Sequence, residues 1–404
     1  MVTIDQYSKA AVEFSLSWAS GGATHTEKFW ADPVSFWRDV LDPKLMRDLI
    51  GQQAGGSTAA GIPAAQFHAP YDQRRIVRIR QDQFTGRRGD GEPLEPVPGR
   101  FYPQGLLTGV SGVFRGSTSP CRFLDRDGHQ LTFDLNHPLA GCDLRLEATI
   151  QTIHPQNKER GGRCEDWLER ISSDGPGMQA LFKGGTPTFF AEDNFRRADE
   201  HPDAQFYQQP RLVQHLDRVA REEIGARYAG LIPAGGRVLD LMGSWASHLP
   251  ADLRLKSLTV LGLNGEELRQ NKQASQSVVH DLNADPQLPF AEASFDAVIC
   301  TASIEYLTKP LAILREITRV LRPGGVVAFA FSNRWFPPKA IRIWQDLHEF
   351  ERMGMVSAML HATTGIGRIA TLSRRGLPRP PDDPHPELWL SDPVYMVWGT
   401  KQAA

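Results

Sequence analysis

Short runs of alternating apolar and polar residues dominate residues 10 to about 154: FSLSW, RIVRIR, HQLTFDL and LRLEATIQTI, with Gly and Pro clusters between them. A period of two puts every second side chain on one face of a strand, so these runs predict antiparallel β-structure. Pro43 to Leu49, followed by Gly51, predicts one short helix, with Pro at its start and Gly past its end. The alternation lapses over residues 155 to about 204, where QNKERGGR, SSDGPG and KGGTP are polar and Gly-rich. That stretch predicts a linker with one short helix near Glu165 to Ile171.

From Pro210 onward the period changes. RLVQHLDRVAREEIGARYAGL has helical spacing, with Leu212, Leu216, Val219, Ile224 and Tyr228 on one face. The apolar runs RVLDLM, LTVLGL, FDAVICT and VVAFAFS then alternate with the helical patterns EELRQNK and PLAILREITRVL. Strands alternating with helices predict βαβ units and a parallel sheet. RIATLSRRG and DPVYMVWGT predict a closing antiparallel hairpin around a long loop. The expected layout is a β-rich α+β domain over 1–156, a linker over 157–204 and an α/β domain over 205–404, with no internal repeat.

Composition narrows the function classes. With 45 basic and 47 acidic residues the net charge is −2, which offers no broad surface for a nucleic acid. The start MVTIDQYSKAAVEF is not a charged-then-apolar leader, and no 18-residue apolar run occurs, so the chain reads as soluble and cytoplasmic, with no membrane partner. Cys121, Cys142, Cys164 and Cys300 are dispersed without a CxxC pair, so no metal site is expected.

An open parallel sheet binds its ligand at the carboxyl ends of its strands. The first such end is Asp240, followed by Met242, Gly243, Ser244 and Trp245. An acidic residue there suits a cofactor with an ammonium group, and a Gly lets the backbone pass close to it. Asn264 ends the second strand, with Glu266 and Glu267 opening the next helix, and is placed for ribose hydroxyls. Asp281 and Leu282 end the third, a carboxylate beside a backbone amide that suits an adenine edge. GxGxxG is absent, which argues against a dinucleotide.

VLDLMGSW, VVHDLNADPQLPFAEASFDAVICTASIEYL and LREITRVLRPGGVVAFAFSN resemble the ordered motifs of class I S-adenosylmethionine (SAM)-dependent methyltransferases, over about Arg237 to Asn333. The resemblance implies a Rossmann-like, mostly parallel seven-stranded sheet, with SAM as cofactor. It places Asp240, Gly243, Asn264, Asp281 and Leu282 in the SAM pocket. Two departures stand out: the first loop, MGSWAS, has a single Gly, and Asn264 replaces the usual acidic ribose ligand. They fit either a degenerate, non-binding domain or a pocket reshaped by Ser244 and Trp245.

Methyl transfer needs an aligned nucleophile, exclusion of water and, for some acceptors, a proton acceptor. The loops after the fourth and fifth strands supply Glu305, Tyr306, Arg334, Trp335 and Phe336. The helix AIRIWQDLHEFERMG then carries Trp344, His348 and Arg352 four residues apart, on one face. Tyr306 and His348 are the candidates for proton handling; Glu305, Arg334, Trp335, Phe336 and Trp344 are the candidates for holding the acceptor. Ahead of the domain, Tyr207, Arg211 and His215 combine polar heads with a helix starting after Pro210, placed for a lid over the cofactor with Arg211 or Tyr207 near the SAM carboxylate.

Phe133 to Gly141, FDLNHPLAG, followed by LRLEATIQTI, resembles the corresponding segment of FKBP-type prolyl isomerases of the SlyD kind. FSLSW and PKLMRDLIGQQAG extend the likeness more weakly. The resemblance implies an aromatic-lined proline cradle that includes Phe133 and His137, with Trp18 nearby, and a proline-containing protein as partner. THTEKFWADPVSFW lacks the family's Asp-Ser-Ser-like turn, and residues 55 to 100 have no clear counterpart of its inserted flap. Together the readings give a methyltransferase acting on a small molecule, a thiol or hydroxyl compound, behind an FKBP-like module. The alternatives are a protein methyltransferase whose front module presents substrate, and an assembly factor whose methyltransferase fold is only a scaffold.

Overall fold

The computed structural model describes residues 2–87, 91, 93–155, 160–182 and 189–403. QNKE at 156–159 and KGGTP at 183–187, both named above, lie outside the described residues. The chain divides into two units, residues 1–21 with 26–189, and 22–25 with 190–404.

In the first unit the alternation becomes sheet. β1 (Lys9–Ser20) turns Val12, Phe14, Leu16 and Trp18 into the core and pairs with β2 (Ala23–Ser35). α1 (Pro43–Leu49) starts with Pro at its first turn, is capped by Asp42 and buries Leu45 and Leu49. β3 (Ser57–Ile62) follows. A separate small sheet is then inserted, made of β4 (Ile76–Arg80), β5 (Phe101–Pro103), β6 (Pro120–Asp127) and β7 (Gln130–Asp134) in the order β4-β7-β6-β5. Phe123, Leu131 and Phe133 give it a core of its own. The chain returns through β8 (Leu144–Ile153), which lies between β1 and β3 and is antiparallel to both. The expected antiparallel β-structure is thus divided between two sheets. The stretch expected as a linker contributes α2 (Trp167–Ser172) to the main core, where the Trp167 ring lies 5.8 Å from that of Phe14.

The second unit opens with α3 (Asp203–Phe206) and α4 (Arg218–Leu231). β9 (Arg237–Leu241), β10 (Ser257–Gly262), α5 (Gly265–Gln270), β11 (Gln276–Val279), β12 (Phe295–Thr301), α6 (Pro310–Val320) and β13 (Leu321–Phe331) follow. α7 (Arg342–Asp346), α8 (Glu349–His361), β14 (Ile366–Arg375) and β15 (Val394–Lys401) complete it. Its seven strands run β11-β10-β9-β12-β13-β15-β14. The first five are parallel and the last two antiparallel, which is the expected mostly parallel sheet closed by a hairpin. Val238, Val260, Ile299 and Ala328 are buried from the central strands, as a sheet covered on both faces requires.

Two helices differ from the sequence pattern. The one expected from Pro210 starts only at Arg218, because Asp217 accepts from the Ala220 N–H and caps it. Leu212 is therefore exposed rather than on the buried face expected for it. The single helix expected over 340–354 is two, α7 and α8, because Leu347 and His348 take extended backbone. Among the described residues no helix is long and apolar enough to cross a membrane, and no group of His, Cys, Asp and Glu is arranged to hold a metal.

Candidate functional site

Four parallel strands of the second unit, β9, β10, β11 and β12, deliver their carboxyl ends to one cavity of about 170 Å³. The penultimate residue of β9 is Asp240, 2% exposed, whose Oδ2 has no hydrogen-bond partner. Burial pushes this carboxyl up to about 7. Met242 turns the chain with a φ of 58°, and the Gly243 N–H donates to the Leu261 carbonyl at 2.8 Å. A Cβ on Gly243 would meet Val260 Cγ1 at 2.6 Å and Asp240 Oδ2 at 2.7 Å. One on Gly262 would run into the Gly243 carbonyl, so the glycine-poor loop borrows its second glycine from the neighbouring strand.

The segment before α4 covers this edge and is fastened by the strand ends beneath it. Asn264 caps α5 through Oδ1, accepting from the Glu266 and Glu267 N–H groups, while its Nδ2 donates to the Tyr207 and Gln208 carbonyls at 2.9 and 3.2 Å. Glu267 accepts from the Arg211 N–H at 2.7 Å and from the Ser244 hydroxyl at 2.5 Å. The Trp245 indole donates to the Val213 carbonyl at 3.3 Å, and Asn283 donates to Asp203 at 2.8 Å. The Arg211 guanidinium lies 4.5 Å from the Phe206 ring centre and 5.0 Å from that of Phe336, and its Nη1 is buried without a partner.

Asp240, Met242, Gly243, Ser244, Trp245, Asn264, Asp281, Leu282, Tyr207 and Arg211 all line this cavity, as do Tyr306 and Phe336. His215 of the expected lid segment lines it too, and sequence reasoning missed Asp203, Glu267 and Asn283, which also line it. Glu267 carried a signal, since three residues beyond Asn264 on a helix is the same face.

The other acceptor and proton-handling candidates lie elsewhere. His348 does not share a face with Trp344; it caps α8, its Nδ1 accepting from the Phe350 N–H at 3.3 Å. Trp344 is fully buried, 4.9 Å from the Phe331 ring, and Arg334 pairs with Asp392 at 2.8 Å. Trp335 is covered by Arg352 at 4.2 Å. Glu305 is buried behind the wall with Oε2 unpartnered, and burial pushes it up to about 8. None of these five lines the cavity. Tyr306 does, but its hydroxyl accepts from the Phe336 N–H at 2.9 Å, and burial with the neighbouring Glu305 raises its pKa well above that of a free phenol. It is a poor proton acceptor at neutral pH.

In the front unit Phe133 lies inside the small sheet, 5.0 Å from the Phe123 ring and 5.6 Å from that of Phe84, so it lines no open cradle. His137 packs against Phe67 at 5.0 Å and His68 at 5.6 Å.

The family model described as a methyltransferase domain matches residues 242–329. The chain is 32% identical over 111 residues to the ubiquinone biosynthesis O-methyltransferase of Xanthomonas oryzae pv. oryzae, covering 27% of this chain and 44% of that protein. It is 31% identical over 159 residues to the mitochondrial arginine-hydroxylase NDUFAF5 of Danio rerio, covering 38% of this chain and 49% of that one. The chain therefore spans less than half the length of these curated relatives. A SAM-dependent methyltransferase structure from Aquifex aeolicus is 15% identical, with a TM-score of 0.31, covering 49% of this chain and 97% of that one. The chain contains a methyltransferase domain, and the cofactor of such a domain is SAM.

Proposed function

We propose that the chain transfers a methyl group from SAM to a small-molecule acceptor, a hydroxyl compound, at the cavity above β9, β10, β11 and β12. One observation carries the reading: every residue that the sequence assigned to the cofactor lines the same cavity, around a buried carboxylate with one unpartnered oxygen. The residues present fit the group. Asp240 offers an acceptor to an ammonium, Gly243 leaves room that a Cβ would fill, and the orphaned Arg211 Nη1 suits a carboxylate. Asp281 and Leu282 stand where an adenine edge needs an acceptor and a backbone donor. When bound, SAM supplies an activated methyl group. The protein aligns the acceptor and excludes water, tasks suited to Phe336, Tyr306 and the segment pinned by Asn264 and Trp245.

A hydroxyl acceptor is favoured over a thiol because the relative from Xanthomonas is named for O-methylation. The other relative, named a hydroxylase, makes methyl transfer itself the point to measure. Calorimetry on the full chain is expected to show S-adenosylhomocysteine (SAH) binding, and labelled SAM is expected to mark a small acceptor in a metabolite extract. Label on protein alone would favour protein methylation. No SAH binding would leave the fold as a scaffold and sink the proposal.

For the front unit we infer an FKBP-like module that docks a proline-containing protein rather than isomerising it. The order β1, β2, α1, β3, an inserted small sheet and then NHPLAG leading into β8 supports the likeness. The packing of Phe133 and His137 speaks against an open cradle. A proline-peptide isomerisation assay on the full chain, with a rate above background, would overturn the docking-only reading.

A further inference from the structure

Building on the SAM reading of the cavity, we propose that Glu267, not Asn264, is the group that takes the ribose diol of the cofactor. Asn264 stands at the end of β10, but its side chain is spent. Its Oδ1 accepts two N–H groups of α5 and its Nδ2 donates to two carbonyls of the covering segment, which uses both lone pairs and both hydrogens. An amide so occupied cannot also accept from two vicinal hydroxyls.

Glu267 sits one helical turn further on, part-buried in the cavity wall. Each of its carboxylate oxygens takes one hydrogen, from the Arg211 N–H and the Ser244 hydroxyl, and keeps one lone pair. Two free lone pairs on one carboxylate match two adjacent hydroxyls, and charge-assisted bonds of this kind are the strong ones. The other carboxylates of the cavity are committed or out of reach. Asp203 is held by Arg197, Lys339 and Asn283. Asp281 Oδ1 closes its own turn on the Asn283 and Ala284 N–H groups, and Asp240 is the buried floor of the neighbouring loop.

The same bonds give Glu267 a second effect. It joins the covering segment, through Arg211, to the β9 loop, through Ser244, so the diol would meet a carboxylate whose position both elements fix. Glu267 would then read the presence of the ribose and hold the segment closed over it.

The test is a cycle of ligand and residue on the full chain, read by calorimetry. Wild-type protein is titrated with SAH and with its 2′,3′-dideoxy analogue, and so is Glu267→Gln. The wild type is expected to bind the dideoxy analogue about tenfold or more weakly than SAH. Glu267→Gln is expected to lose about tenfold more for SAH than for the analogue, whose smaller loss is that of the fastening to Arg211 and Ser244 alone. Equal losses for both ligands would make Glu267 a fastener of the covering segment only, and overturn the proposal. No loss in the variant, or no preference for SAH over the analogue in the wild type, would overturn it too. If Glu267→Gln does not fold, Glu267→Asp, one methylene shorter, carries the same cycle. Failure of the wild type to bind SAH at all would instead remove the SAM reading underneath.

Discussion

Asp240 binds the cofactor argument to a measurable titration. Its carboxyl is buried, with Oδ2 unpartnered, and its pKa is raised from 3.8 to about 7. Between those two values the folded chain keeps a proton that the unfolded chain has released. Stability is therefore withdrawn as pH climbs through that window, and the loss is complete above about 7. Asp240→Asn removes the titrating group, so the variant should melt above the wild type at pH 8 and close to it at pH 4. The gain at pH 8 should be about 1.4 kcal/mol for every tenfold by which folding tightens the carboxyl's hold on its proton. Affinity should move the other way. An ammonium favours the ionised carboxylate, so SAM binding to the wild type should strengthen through pH 7, while the Asn variant binds weakly at every pH. Calorimetry and melting curves at matched pH check both signs. A wild type whose SAM affinity is flat from pH 6 to pH 8 would mean that this carboxyl does not face the cation. Tyr306 and His348 show the limit of reading chemistry from residue type. A phenol and an imidazole at plausible loop positions suggest proton carriers, but a backbone N–H claims the one and a helix end claims the other.

At the scale of the element, α4 shows where the spacing of apolar residues misleads. Leu212 and Leu216 continue the helical period backwards, so the pattern runs on to Pro210, yet the helix starts at Arg218. A knot of buried charge fixes that start. Arg379, 9% exposed, reaches Asp217, Asp383 and Asp392, each at 3.2 Å, and Asp217 also accepts from the Ser391 hydroxyl and the Asp392 N–H. Asp217 lies more than 160 positions from the other members, so no local window contains them all. The strand ends, by contrast, were legible, because a parallel strand is a short apolar run whose last residue is followed at once by polar loop chemistry. Truncating one partner of such a knot leaves buried carboxylates uncompensated. Arg379→Met, similar in length and uncharged, should lower stability by about 3 kcal/mol, less whatever Arg334 recovers by holding Asp392 alone. A urea midpoint equal to that of the wild type would show that the knot does not fix the beginning of α4.

Among the described residues each of the two units has a main core, and the sequence exposed them unequally. In the second unit, strands and helices alternate along the chain, so order in sequence nearly gives order in the sheet, and the handed crossover of βαβ units leaves few choices. In the first unit, alternation marks strands but not their partners. β3 and β8 pair across more than 80 residues, with a small sheet of its own core between them, and a turn-rich sequence does not say which strands belong to which sheet. The two cores share no residue: Phe14, Leu16, Leu45 and Trp167 belong to one, and Val238, Val260, Ile299 and Ala328 to the other. A ligand of the cavity touches only the second set of elements. Ligand that binds the folded state alone, at a hundredfold its Kd, stabilises by roughly 2.7 kcal/mol. Calorimetric melting of the full chain should accordingly resolve more than one transition, with SAH raising one by roughly 5–10 °C and leaving another in place. A single transition that moves as a whole would mean that the two cores unfold together, and that a stability measured for either belongs to both.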